Sequence, residues 1–175
     1  MTTEHRVEQT IDPSWRSFLD VAPDSHFPIQ NLPYGVFAPR HGGPPHVGVA
    51  IGEWVLDLSL LEAQGFLGGT AAFGGGRVFG QSSLNGFLAL GRPAWSEARS
   101  RLALLVSGRD PSLRDDATRL GHVLHRLDEV ALFLPAAIGD YTDFCASREH
   151  VVYVAGILRG EEDRTPVGWG YLPVA

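Results

Sequence analysis

Lysine is absent from this 175-residue chain, so all fourteen of its basic residues are arginine. That absence excludes a Walker-type phosphate loop, a Schiff-base lysine and a lysine general base together. Cysteine occurs once, at Cys145, which permits no internal disulfide and points to a reducing, cytoplasmic setting. No apolar run approaches the roughly 18 residues of a membrane span. The opening MTTEHRVEQTIDPSW lacks the apolar centre of a signal peptide. A net charge of −6 and a pI near 5.6 leave no basic face for nucleic acid or an anionic membrane. GxSxG, HExxH and CxxC are all missing, and with them three common hydrolase and redox signatures.

What is present suits a folded domain. The chain is 44% apolar and 10% aromatic, enough to bury a core. Pro13, Pro23, Pro28 and Pro33 punctuate an extended lead-in over residues 1–33. Three strands are then expected, at 34–38, 47–51 and 54–58, the last two joined by the two-residue hairpin Gly52-Glu53. The glycine-rich 65–81 lacks the order of a phosphate loop and reads as a flexible connection. Pro93 opens a helix whose apolar face is Trp95, Ala98, Leu102 and Leu105, with Glu97 and Arg101 at i,i+4 opposite and Gly108 as its stop. Asp110-Pro111 opens a second helical stretch carrying Leu113, Ala117, Leu120 and Leu124. Val130–Leu134 reads as a buried strand closed by Pro135.

Most polar clusters read as ordinary surface. His122 and His125, three apart on a helix, make a poor metal pair without a third ligand. His41 and His46 flank a Gly-Pro loop and read the same way. Glu161-Glu162-Asp163 lacks the spacing and glycine of a calcium loop. Cys145 reads as a partly buried, inert thiol. The stretch IGDYTDFCASREH (138–150) is different. Ser147 is a good N-cap for a helix over 148–158, with Glu149 in its first turn where the dipole favours a carboxylate. His150 then falls near the third helical position, where the positive helix end favours the neutral, proton-accepting imidazole. Asp143 lies just upstream, after a strand. Such a run is either a catalytic edge or a helix with polar capping, and the residues alone leave both open.

The chain resembles the N-terminal part of the fumarylacetoacetase (fumarylacetoacetate hydrolase) family. The resemblance rests on FPIQNLPYGVF (27–37), VGVAIGEWVLDLS (47–59), LNGFLALGRPAWSEAR (84–99), LRDD (113–116), LPAAIGDYTDF (134–144) and SREH (147–150), with the spacing to Arg159. It runs from about Trp15 to Val174. It implies an α+β chain: a small SH3-like β-barrel domain with lead-in and helices over 1–129, then the start of a β-rich catalytic domain over 130–175. It also implies metal-dependent hydrolysis of the carbon–carbon bond of the β-diketo acid fumarylacetoacetate, in tyrosine and phenylalanine breakdown, by a homodimer.

By position, the resemblance makes Asp143 the first ligand of a calcium or magnesium ion. His150 becomes the base that activates water, and Arg159 the carboxylate-binding arginine. Cys145 stands where the family usually has a substrate-contacting tyrosine. The family's further metal carboxylates and lysine come after the point where this chain reads YLPVA, so the chain alone is expected to be inactive. Val151, Val154 and Ile157 are expected to be partly uncovered. Two alternatives remain. One is another enzyme of the superfamily, an acylpyruvase or a decarboxylase/isomerase, against which the long FPIQNLPYGVF lead-in argues. The other is a non-catalytic small-barrel binding module.

Overall fold

The computed structural model describes residues 11–67, 77–142, 146–160 and 169. By its internal contacts the chain divides into two compact units, Met1–Ala137 and Ile138–Ala175. Among the described residues, the first holds five strands, β1 (Tyr34–Pro39), β2 (His46–Ile51), β3 (Trp54–Asp57), β4 (Leu124–Arg126) and β5 (Val130–Phe133), with five α-helices between β3 and β4. These are α1 (Leu58–Ala63), α2 (Asn85–Ala89), α3 (Arg92–Val106), α4 (Pro111–Arg114) and α5 (Ala117–Val123). The second unit holds α6 (Arg148–Arg159). The architecture is α+β.

The sheet is antiparallel throughout, in the order β4-β3-β2-β1-β5. The Gly52-Glu53 hairpin forms where expected, with Gly52 at φ +55, a conformation glycine adopts at little cost. Strand alternation sends Val47, Val49 and Ile51 to one face, where they join Val36, Leu56, Leu58 and Leu61 in the main core. Burying each such side chain contributes about 1.5–3 kcal/mol. The helix α3 presses Ala94, Ala98, Leu102 and Leu105 into the same core, and Phe79 and Phe87 fill the space beside it.

The opposite face carries a smaller cluster of Phe37, Val55 and Val130, with Leu127 against it. Gly48 lies directly beneath it. A Cβ there would stand 2.6 Å from Phe37 Cε1 and 2.7 Å from Val55 Cγ1, so only glycine lets the ring close onto the strand.

Several loops are clasped by side chains. Glu62 accepts from the amides of Val78 (2.9 Å) and Phe79 (3.1 Å), fixing the chain where it returns from the glycine-rich stretch. Residues 68–76 of that stretch lie outside the described residues. Arg99 reaches from α3 to the carbonyls of Leu32 and Gln30 and ties down the lead-in.

The structure differs from expectation in four places. Trp95 is 39% exposed, and Ala94 takes the inward position on α3. Arg101 bonds Asp110 (2.8 Å) and the Phe66 carbonyl (3.0 Å) instead of Glu97, because α4 brings a buried-side carboxylate within reach. The second helical stretch breaks into α4 and α5, each with its own aspartate cap, Asp110 and Asp116, and Leu124 belongs to β4. Finally β5 is an edge strand. Val130 is buried, whereas Leu132 and Leu134 are 69% and 75% exposed. A short apolar run reads alike at a sheet's centre and at its edge. On α6, Val151 is buried, Val154 half-buried and Ile157 exposed.

Substituting Gly48→Ala should destabilise the first unit by about 1–3 kcal/mol through overpacking. The change is to be read as a lowered urea midpoint, and an unchanged midpoint would show that Phe37 has room to move.

Candidate functional site

The helix α6 begins as its sequence demands. Ser147 has extended backbone (φ −87, ψ 122) and its Oγ accepts from the His150 amide at 3.3 Å. The same hydroxyl donates to Glu149 Oε2 at 3.1 Å. Hydrogen bonds from the helix-start amide and from Ser147 hold the exposed Glu149 carboxyl below its ordinary pKa. His150 is therefore fixed at the third helical position by its own backbone, with its side chain open to solvent. Just upstream, Asp140 Oδ1 accepts from the Tyr141 amide at 2.8 Å. Gly160, at φ +68, closes the helix in the left-handed conformation glycine favours.

Of the residues singled out in the sequence, His150 lies at this helix start, and the backbone of Arg159 at the other end. Nine residues of helix separate them by roughly 13 Å along the axis. Asp143, Cys145 and the Glu161-Glu162-Asp163 run lie outside the described residues.

A second polar site went unrecognised in the sequence. Asp57, only 1% exposed, ends β3 and caps α1. Its Oδ1 accepts from the Leu60 amide (3.0 Å) and the Ser59 hydroxyl (2.8 Å), and its Oδ2 meets His46 Nε2 at 2.7 Å. His46 Nδ1 in turn faces the Pro44 carbonyl at 3.0 Å. His125 Nε2, on β4, is buried without a hydrogen bond and stands 3.6 Å from the same Oδ2. Both histidines lie against the ring of Phe37. Thus His46 and His125, read as solvated side chains, belong to a largely buried cluster that three strands and a helix assemble. The available signal was Asp57-Leu-Ser-Leu-Leu-Glu62 directly after a strand, an N-cap followed by helical residues.

Both ring nitrogens of His46 face oxygen acceptors, and the imidazolium, with two N–H donors, satisfies both. The hydrogen bond to Asp57 raises the pKa of His46 above 6.5, against its burial. Burial pushes the Asp57 carboxyl up, but the hydrogen bonds from His46, Leu60 and Ser59 outweigh it and hold the carboxyl below 3.8. His46 thus stabilises fully below pH 6.5, and its contribution disappears as pH rises through the raised folded value. Asp57 contributes above pH 3.8 and loses its contribution as pH falls through the lowered folded value.

Among the described residues, no three His, Cys, Asp or Glu side chains are gathered in a way that could hold a metal ion. Nor is any described helix long and apolar enough to cross a membrane.

This α+β unit matches the family described as "Fumarylacetoacetase N-terminal" over residues 30–135. The chain belongs to that family. It is 46% identical to the fumarylacetoacetase of Arabidopsis thaliana over 160 residues, 91% of this chain and 38% of that protein. It is 44% identical to the Dictyostelium discoideum fumarylacetoacetase over 159 residues, 91% of this chain and 37% of that protein. For the human fumarylacetoacetase the identity is 43% over 158 residues, with 90% of this chain and 37% of the relative covered. The chain thus spans little more than a third of the length of the curated relatives it matches.

The melting temperature of the chain should fall as pH rises above 6.5 and through the raised value at which folded His46 loses its proton. His46→Gln should flatten that dependence. Equal slopes for the two proteins in thermal melts would remove His46 from the account.

Proposed function

We propose that this chain contributes to a fumarylacetoacetase activity: hydrolysis of the carbon–carbon bond of fumarylacetoacetate, giving fumarate and acetoacetate in tyrosine and phenylalanine catabolism. The observation that carries this reading is 43–46% identity across nine-tenths of the chain to relatives named fumarylacetoacetase. Strands β1 to β4 and helices α1 to α5 would belong to the SH3-like small domain, residues 1–129, with 130–175, whose β5 pairs with β1 at the edge of the same sheet, beginning the β-rich catalytic domain. A cytoplasmic homodimer acting on a small β-diketo acid completes the proposal.

His150 is the proposed base. Its side chain is open to water, and its backbone is anchored by Ser147. In the proposed step it takes a proton from water as the oxygen attacks a substrate carbonyl. The bond between that carbonyl carbon and its neighbour then breaks, and its electron pair leaves as an enolate that takes up a proton. Arg159 would pair with a substrate carboxylate through its planar fork, and Cys145 would touch the substrate. Asp143 would be the first ligand of the Ca2+ or Mg2+ that the family implies. The described residues do not supply the six to eight oxygens that calcium takes.

The test is to purify the polypeptide as its source cell makes it, supply fumarylacetoacetate, and follow fumarate and acetoacetate by chromatography. His150→Ala should lower kcat by about 10²–10⁴-fold. Preferential cleavage of acylpyruvates would point to a different member of the superfamily. An unaltered rate in the variant would remove His150 from the mechanism.

A further inference from the structure

The two sides of α6 differ in a way that packing alone does not explain. Among its described side chains, Val151 and Ala155, one turn apart, are the buried ones. His150, Tyr153 and Ile157 stand at i, i+3 and i+7. At about 3.6 residues per turn, that stripe runs almost opposite to the buried pair. All three of its residues are exposed, Tyr153 at 70% and Ile157 at 64%. A helix face that meets only water is normally charged or polar. This one sets a phenol and an aliphatic side chain beside the proposed base.

Helical side chains lean toward the N-terminus of their helix, so a residue at i+3 covers the turn that carries residue i. A phenol at Tyr153 therefore belongs to the turn of His150, and Ile157 continues the stripe as apolar surface for a carbon skeleton. Ser147 holds the His150 amide at 3.3 Å and takes up no atom of its ring. Hydrolysis of a carbon–carbon bond needs two proton transfers, one from the attacking water and one to the carbon that leaves. His150 as base accounts for the first alone.

We infer that Tyr153 is a further catalytic residue, the acid that protonates the leaving enolate. The role rests on the hydrolytic reading of this chain. The phenol O–H bond breaks as a C–H bond forms at the enolate carbon, which leaves a phenolate. His150, an imidazolium after taking a proton from water, gives that proton to the phenolate, and both side chains regain their starting state. The water's hydroxyl ends on the attacked carbonyl carbon and its other hydrogen is made good on the leaving carbon, so atoms and charge balance. Side chains three apart on a helix have Cβ atoms about 5–6 Å from each other, close enough for that return directly or through one water.

The experiment uses the protein as its source cell makes it, with fumarylacetoacetate as substrate, and compares it with Tyr153→Phe. That change removes one oxygen from an exposed side chain, so the thermal melt should not move. The kcat should fall by about 10²-fold or more while KM stays within about twofold. A raised KM with kcat retained would make Tyr153 a binding contact and overturn the acid role. Normal turnover by the unsubstituted protein together with an unaltered Tyr153→Phe would overturn this inference alone. Failure of the unsubstituted protein to cleave fumarylacetoacetate would overturn the hydrolytic reading itself, and the acid role with it.

Discussion

The buried carboxylate of Asp57 is where the first unit is joined. It ends β3, starts α1 by accepting the Leu60 amide, and reaches sideways to His46 on β2. A lone carboxylate at 1% exposure would be driven to take up a proton. Three hydrogen-bond donors hold it ionised instead, so the strand-to-helix corner carries a fixed negative charge. Phe37 packs against both histidines on that face, and Gly48 makes room for its ring. The polar corner and the small apolar cluster therefore hold each other in place. This arrangement binds β1, β2, β3 and β4 on the side of the sheet away from the main core.

How much of this was legible in the sequence depends on the range of the interaction. The Gly52-Glu53 hairpin and the Ser147 cap are set by residues within four positions of each other, and both read correctly. Asp57 was included only as part of the strand 54–58, because its partner His46 lies eleven positions away and His125 sixty-eight, so nothing local marked the cluster. His125 was placed on a helix because the apolar period of Leu113–Leu124 seemed continuous. Two aspartate caps, Asp110 and Asp116, actually break that segment, and the chain then turns into β4. The Arg99 clasp was invisible for the same reason: its partners, the Leu32 and Gln30 carbonyls, lie 67 and 69 positions away.

The candidate site at the start of α6 rests on local structure of the most predictable kind. Ser147, Glu149 and His150 lie within one turn, and the cap fixes the backbone of the histidine without using its ring. A capping motif by itself is consistent with an inert helix. The family membership gives this one a functional reading, since the identity to fumarylacetoacetases covers 91% of the chain, more than the 30–135 that the family match spans. Fold, cap and kinship make separate contributions: the fold presents the segment, the cap sets the geometry of His150, and kinship supplies the chemistry proposed for it.

The absence of lysine has a structural counterpart. Arginines here repeatedly hold irregular backbone by its carbonyls: Arg99 on Gln30 and Leu32, Arg101 on Phe66, Arg114 on Gly108, Arg16 on Pro13 and Trp15, and Arg40 on Asp128. Arg101 and Arg114 also bond a carboxylate, Asp110 and Asp115. A planar fork with five donors can serve two acceptors at fixed angles, whereas an ammonium is a compact point charge on a flexible stem. Loops that carry few backbone hydrogen bonds of their own gain definition from such clasps. In a chain whose lead-in and connections are rich in proline and glycine, arginine is the cation suited to holding them, and Arg99 shows the consequence. Its charge is committed to the neutral carbonyls of Leu32 and Gln30, which ties the lead-in to α3.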